Sequence, residues 1–172
     1  MLSYINLVWP RGGMVTQRIA NPSIPVRFWA WPPQEFDIIM IDKEIFKIAS
    51  NTLNYGFLEN HSHKSSLKSS VCGDQIKIYL RVRKDKIIKV KYEGNFCIYC
   101  NASASLLAEK SINRSIKDTT IFLKKSASFF NNQNKFKKGN WSSFKKIMNK
   151  TNLSRKECLL LPLKTLLKAL NN

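Results

Sequence analysis

Acidic residues are scarce in this chain, and their scarcity limits the partners to consider. The 172 residues include 11 Asp and Glu against 29 Lys and Arg, so the formal net charge is +18. A charge of this size first suggests nucleic acid or an anionic membrane. However, 22 of the basic residues are Lys and only 7 are Arg, the residue that favours bidentate phosphate contacts. We therefore favour a lysine-rich solvated surface over a nucleic-acid partner, while docking to an acidic protein stays open.

Long apolar runs are also missing. No stretch approaches 18 apolar residues, which argues against a conventional transmembrane helix. The first fifteen residues lack the uninterrupted apolar run of a secretory signal. The sequence contains no H-E-x-x-H motif, no P-loop and no glycine-rich dinucleotide fingerprint. We expect a cytoplasmic bacterial protein that has no membrane partner.

The distribution of proline and lysine changes sharply near residue 40. Residues 1–39 hold five of the six prolines, three of the four tryptophans and no lysine. Such a change in composition marks a boundary. We predict that residues 1–39 are an extension outside the functional domain, which an upstream start-site error would explain, and that residues 40–172 form the domain.

Within residues 40–172 the apolar periodicity predicts an α+β fold. Apolar residues alternate over Gln75–Arg83 and again from Ile88 to Tyr92, which indicates an antiparallel hairpin with a turn at Lys84–Asp85. Helical spacing follows, so a small sheet should pack against helices. The predicted helices are residues 42–52, Ala102–Lys110, Ile116–Phe130, one or two turns at Phe144–Met148, and Cys158–Leu170; residues 60–70 and Asn131–Asn140 are predicted loops.

Cysteines lie at both ends of the predicted hairpin. Cys72 directly precedes the first strand and Cys97 directly follows the second, so an antiparallel pairing brings them side by side. Asp74 adds a carboxylate, and Cys158 opens the final helix, where the helix dipole would stabilise a thiolate. Three sulfurs and one oxygen suit tetrahedral Zn²⁺ or an iron–sulfur cluster. The alternative is that these cysteines are small buried residues.

Two further groups are weaker candidates. Cys97 and Cys100 have C-x-x-C spacing, but a thioredoxin-like site needs a βαβ setting with the motif at a helix start, and a hairpin precedes this motif. Cys100 is as consistent with a buried core residue as with a ligand. His61 and His63 lie in a polar, lysine-containing stretch, where solvated side chains are expected more often than auxiliary metal ligands.

Five short motifs follow one another along residues 40–172: Asn54-Tyr55-Gly56, Cys72-Gly73-Asp74, Tyr92-Glu93-Gly94-Asn95-Phe96-Cys97, Asn101-Ala102-Ser103-Ala104-Ser105 and Arg155-Lys156-Glu157-Cys158. In these motifs and their order the chain resembles the IscU/SufU/NifU-N-terminal family of iron–sulfur scaffold proteins. The resemblance implies a compact fold with a small antiparallel sheet on helices. It also implies a site for Zn²⁺ or a nascent [2Fe–2S] cluster made by Cys72, Asp74, Cys97 and Cys158.

The spacing of 61 residues from Cys97 to Cys158, together with Arg155, is similar to the SufU branch. The chain departs from the family at Phe96, where Gly is usual, and at Cys100, where Ser or Ala is common. The resemblance implies a scaffold or sulfur acceptor that receives sulfur from a cysteine desulfurase and serves recipient apo iron–sulfur proteins. In that role the chain would act as a zinc-dependent sulfurtransferase that works together with the desulfurase. It would not be a classical enzyme.

We expect Cys158 to be the sulfur acceptor, because a residue that begins a helix at the rim of the site could leave the metal with least disruption. Two other functions stay open at this point. One is a zinc-stabilised interaction module without sulfur transfer, in which the metal only supplies folding energy. The other, less favoured, is a basic nucleic-acid-binding protein.

Overall fold

The structure is a computed structural model that describes residues 5–8, 14–17, 42–130 and 140–171. By its internal contacts the chain divides into two units, Met1–Ile38 and Ile39–Asn172. In the first unit, strand β1 (Ile5–Val8) pairs antiparallel with strand β2 (Met14–Gln17). The predicted role of residues 1–39 as an extension outside the functional domain stays a prediction. The candidate site belongs wholly to the second unit.

The second unit contains an antiparallel sheet in the order β3-β4-β5. Its strands are β3 (His63–Lys68), β4 (Gln75–Arg83) and β5 (Lys86–Asn95). The predicted hairpin is confirmed: Gln75 pairs with Asn95 at one end, and Lys84 and Asp85 turn the chain at the other with φ of 49° and 58°. Positive φ at both turn residues is typical of the type I′ turn, whose twist matches that of the strands.

Strand β3 corrects the prediction of a loop over residues 60–70. It pairs with β4 from His63↔Leu80 to Lys68↔Gln75 at the edge of the sheet. Its inward positions include a buried Ser65 and a half-buried Leu67, so only one large apolar side chain points to the core. An edge strand with a polar outer face and a serine on its inner face gives almost no alternating apolar signal.

Four α-helices complete the described part of the second unit: α1 (Lys43–Ala49), α2 (Ile98–Ser111), α3 (Ile116–Lys125) and α4 (Lys156–Asn171). Asp42 caps α1, since its side chain accepts the backbone N–H of Glu44 at 2.9 Å. The helix predicted over Ile116–Phe130 continues after Lys125 as a 3-10 turn, and 3-10 turns also cover Asn140–Lys146 and Lys150–Arg155. The loop predicted for Asn131–Asn140 lies outside the described residues except for Asn140, where a 3-10 turn begins.

Helices α2 and α4 pack against each other and against the inner face of the sheet. That face presents the fully buried Ile76, Ile78 and Leu80 of β4 and Tyr92 of β5. Residues 102–105 of α2 are all small and buried, so the neighbouring helices can approach its backbone closely. The α+β architecture, a small antiparallel sheet on helices, is therefore as predicted. In the described residues, every helix is too short or too polar to cross a membrane.

Candidate metal centre

The turn between β3 and β4 presents Cys72 at the end of the sheet. The backbone N–H of Ser69 donates to the carbonyl of Asp74 at 2.8 Å, and the N–H of Gly73 donates to the carbonyl of Ser69 at 3.1 Å. The hydroxyl of Ser69 accepts the N–H of Cys72 at 3.3 Å. Gly73 adopts φ of +73°, which a residue with a side chain rarely takes. These bonds hold the chain so that the Cys72 side chain is exposed to solvent.

Asp74 links this turn to the start of α2. One carboxylate oxygen, Oδ1, accepts the backbone N–H of Cys97 at 3.1 Å. The second oxygen, Oδ2, is buried and has no hydrogen-bond partner in the described residues. A buried carboxylate oxygen without a partner is costly. A cation bound at this position would satisfy it, so the residues present fit the metal that the cysteines imply.

Three ligand atoms converge at this point. The Cys72 sulfur, a carboxylate oxygen of Asp74 and the Cys158 sulfur all lie within 4.8 Å of one another. The predicted fourth member, Cys97, is not one of this close group. It is half-buried beside it: burial raises the pKa of the Cys97 thiol, the Asp74 carboxylate adds to the rise, and the Cys158 thiol opposes it. Three of the four predicted ligands are thus grouped, and the fourth is adjacent.

Cys158 lies deeper than we expected. Helix α4 begins at Lys156, so Cys158 is inside its first turn and is buried. Burial raises the pKa of the Cys158 thiol, and its neighbour Cys72 raises it further. Burial and the neighbouring thiols therefore act against the thiolate that the helix N-terminus would favour. The thiol at the rim of the site is Cys72.

Cys100 belongs to the hydrophobic core. Its side chain is fully buried in the first turn of α2. Burial, followed by the negative charge of Asp74, strongly raises the pKa of its thiol. The C-x-x-C motif does lie at a helix start, with Cys97 as the N-cap residue, but an antiparallel hairpin precedes it instead of a βαβ unit. The structure favours the core interpretation of Cys100.

The two histidines are placed away from the cysteines. His63 pairs with Leu80, five strand positions from the Lys68↔Gln75 pair beside the site, which corresponds to about 17 Å along a strand. The Nδ1 of His61 contacts the carbonyl of Leu58 at 2.9 Å, and the Nδ1 of His63 contacts the Ser62 hydroxyl at 2.8 Å. A role as auxiliary ligands is not supported by this placement.

Two serines near the site were not singled out by the sequence. Ser69 holds the turn that carries Cys72. Ser103 donates from its hydroxyl to the carbonyl of Leu159, the residue after Cys158. Ser103 is part of the A-S-A-S motif, but a serine flanked by alanines on an apolar helix indicates only close packing. Its partner lies 56 residues away in sequence, and no local pattern shows such a contact.

Known proteins are similar to this chain in sequence. The profile of the family described as "NifU-like N terminal domain" matches residues 40–138. The iron–sulfur cluster assembly scaffold protein IscU of Thermotoga maritima is 27% identical over 133 residues, which are 77% of this chain and 93% of that protein. The IscU 1 protein of Archaeoglobus fulgidus is 25% identical over 79 residues, 46% of this chain and 52% of that protein.

Solved structures have the same fold as this chain. FiSufU of Fervidobacterium islandicum AW-1, named as a scaffold protein for the SUF system, superposes with a TM-score of 0.68 at 26% identity, over 75% of this chain and 95% of that one. The N-terminal part of a NifU-like protein from Brucella abortus has a TM-score of 0.66 at 20% identity, over 76% and 91% of the two chains, and supports the fold alone. Since the family profile covers more than half of the sequence, the chain belongs to the NifU-like N-terminal domain family, which confirms the resemblance to the IscU/SufU/NifU scaffolds.

Proposed function

We propose that this chain is an iron–sulfur cluster assembly scaffold that also accepts sulfur. The observation that carries the proposal is the convergence of Cys72, Asp74 and Cys158 within 4.8 Å around a buried carboxylate oxygen without a partner. Cys97, at the N-cap of α2, is the proposed fourth ligand. The relatives named as IscU and SufU scaffolds support the same function.

Three thiols and one carboxylate are a donor set that suits either Zn²⁺ or the iron of a [2Fe–2S] cluster. When bound, the metal supplies positive charge that holds the thiols as thiolates. The protein contributes an oriented carboxylate, because the Cys97 N–H fixes Oδ1 of Asp74 and leaves Oδ2 directed elsewhere. A carboxylate is a harder and more labile ligand than a thiolate for these metals. Asp74 is therefore the proposed point at which a cluster leaves for a recipient apo protein.

The proposed sulfur donor is a cysteine desulfurase. A persulfide on the donor would be attacked by a thiolate of this chain, which takes the outer sulfur while the donor cysteine leaves as a thiolate. Cys72 is exposed and is the first thiol that a partner protein can reach, whereas Cys158 is buried. Cys158 stays the candidate final acceptor, but sulfur would reach it through its neighbour Cys72 or after the turn that carries Cys72 has moved.

The test is an anaerobic analysis of zinc, iron and acid-labile sulfide in the purified full chain and in its Cys→Ser variants. We expect stoichiometric zinc, or iron and sulfide in equal amounts, in the wild-type chain. Cys72→Ser, Cys97→Ser and Cys158→Ser should each lose most of this content, whereas Cys100→Ser serves as the matched control. A wild-type chain that holds neither zinc nor iron after reconstitution would contradict the proposal.

The burial of Cys158 also favours a second candidate, a zinc-stabilised interaction module without sulfur chemistry. Adding a cysteine desulfurase and cysteine separates the two functions. A sulfur acceptor should increase sulfide release in the presence of a reductant, and Cys72→Ser or Cys158→Ser should abolish the increase. A purely structural zinc site should leave the desulfurase unaffected.

A further inference from the structure

A buried hydrogen bond joins the two helices that carry proposed metal ligands. The Ser103 hydroxyl of α2 donates to the carbonyl of Leu159 in α4 at 2.6 Å. Both residues are fully buried. Helix α2 begins directly after Cys97, and Leu159 directly follows Cys158. The hydrogen bond therefore connects the backbone next to Cys158, one proposed ligand, to helix α2, which begins directly after Cys97, another proposed ligand.

Pro162 makes the hydrogen bond between Ser103 and Leu159 more important. In an α-helix the carbonyl of Cys158 would accept the N–H of residue 162, but Pro162 has no N–H and its ring crowds the carbonyl four residues earlier. Because α4 begins at Lys156, Pro162 is its seventh residue and lies beyond the first turn, where a proline is tolerated. The backbone of Cys158 consequently lacks its usual helical bond, and the adjacent carbonyl is the one that Ser103 holds.

We propose that Ser103 is a positioning residue for Cys158. Its hydroxyl fixes the first turns of α4 relative to α2, so that the Cys158 sulfur stays within reach of Cys72 and Asp74. The inference rests on the proposed function, since it concerns the orientation of a ligand in that same site. Groups that orient a metal ligand without touching the metal typically affect metal affinity as well as the stability of the protein.

The chain offers a matched control two residues further along α2. The Ser105 hydroxyl is also buried and donates to a backbone carbonyl, that of Asn51, at 2.9 Å. Asn51 follows α1 and neighbours none of the proposed ligands in sequence. Ser103→Ala and Ser105→Ala thus remove the same type of bond from the same helix, but only Ser103→Ala removes one beside a ligand.

The experiment is a titration of the full-length variants with Co²⁺, followed by competition with Zn²⁺. Co²⁺ reports the ligand geometry through its absorption bands. We expect Ser103→Ala to weaken metal binding about tenfold, the lower end of the range for groups that support metal ligands, and to change the Co²⁺ spectrum. Ser105→Ala should retain the wild-type spectrum while losing a similar amount of stability in the metal-free state.

A second variant tests the part that Pro162 plays. Pro162→Ala supplies the missing N–H to the Cys158 carbonyl, so it should recover part of the affinity that Ser103→Ala loses, which a double-mutant cycle measures. Equal effects of Ser103→Ala and Ser105→Ala on metal affinity, or no recovery by Pro162→Ala, would overturn the inference. A wild-type chain that binds no metal would instead overturn the proposed function, so the two failures are distinguishable.

Discussion

Asp74 and Cys97 are joined across the open end of the β4–β5 hairpin. The Asp74 carboxylate accepts the Cys97 backbone N–H at 3.1 Å, 23 residues away in sequence. The bond satisfies a backbone donor at the N-terminus of α2, which has no partner within the helix. Asp74 therefore has a structural role through Oδ1 and is free to act as a ligand through Oδ2.

We predict that Asp74→Ala slows the release of a bound cluster about tenfold, because a labile oxygen ligand is lost and the remaining thiolates hold iron more firmly. The measurement is the transfer of a reconstituted [2Fe–2S] cluster to an apo-ferredoxin, followed by visible circular dichroism. Asp74→Asn is the companion variant, since its amide oxygen can still accept the Cys97 N–H. Transfer by Asp74→Ala at the wild-type rate would contradict the proposed role.

We predict that any side chain at Gly94 destabilises the fold, because the neighbouring strand leaves no space for a Cβ atom. Gly94 has φ of +151°, and a Cβ placed there would collide with the backbone carbonyl of Gln75 on the neighbouring strand. We expect Gly94→Ala to lower the free energy of unfolding by about 3 kcal/mol, the upper range for overpacking. Because Gln75 follows Asp74, the variant should also bind metal more weakly.

Gly73 provides the comparison, since its φ is +73° but a Cβ there would meet nothing within 4 Å. Gly73→Ala should cost only about 1 kcal/mol, for backbone strain alone. Urea denaturation of both variants measures the difference. Equal costs at the two positions would show that the contact with Gln75 is not the cause.

The hairpin and its cysteines were predictable because both depend on local patterns. Period-two alternation predicts strands β4 and β5, and the antiparallel pairing of these strands predicts that Cys72 lies beside Cys97. Strand β3 was missed because Ser65 occupies an inward position where an apolar residue would have given the signal. The start of α2 at Ile98 was missed because the sequence Ile98-Tyr99-Cys100 does not have a clear helical period.

The depth of Cys158 could not be predicted from the sequence. It depends on where α4 begins, and the 3-10 turn Lys150–Arg155 runs directly into that helix without a distinct break. It also depends on tertiary contacts such as Ser103 with Leu159, which are distant in sequence. Sequence patterns therefore predicted which residues are candidate ligands, but which thiol lies at the surface followed only from the packing of α4.

Tyr79 should make stability depend on pH in the alkaline range. Its hydroxyl donates to Glu93 at 2.7 Å, and burial, reinforced by this carboxylate, raises the pKa of Tyr79 to about 12 from its ordinary value of 10.0. A raised pKa means that the contribution to stability is complete below pH 10 and is lost as the pH rises towards 12.

We predict that Tyr79→Phe lowers the free energy of unfolding at pH 7.5 by about 1–2 kcal/mol, as expected for a hydrogen bond to a charged group. Its stability should also fall less than that of the wild type between pH 10 and 12. Glu93→Gln, which keeps an acceptor but removes the charge, should give an intermediate profile. Urea denaturation at several pH values tests this, and parallel alkaline profiles for wild type and Tyr79→Phe would contradict it.

A chain that begins at Met40 should fold and bind metal as the full chain does. The internal contacts divide the protein at residue 38, and the family profile begins at residue 40. Residues 42–171 also supply all four proposed ligands and the buried side chains of the described core. We expect the thermal unfolding midpoint and the zinc content of residues 40–172 to equal those of the full chain. Failure of the shortened chain to fold, or loss of its metal, would show that residues 1–39 are part of the functional domain.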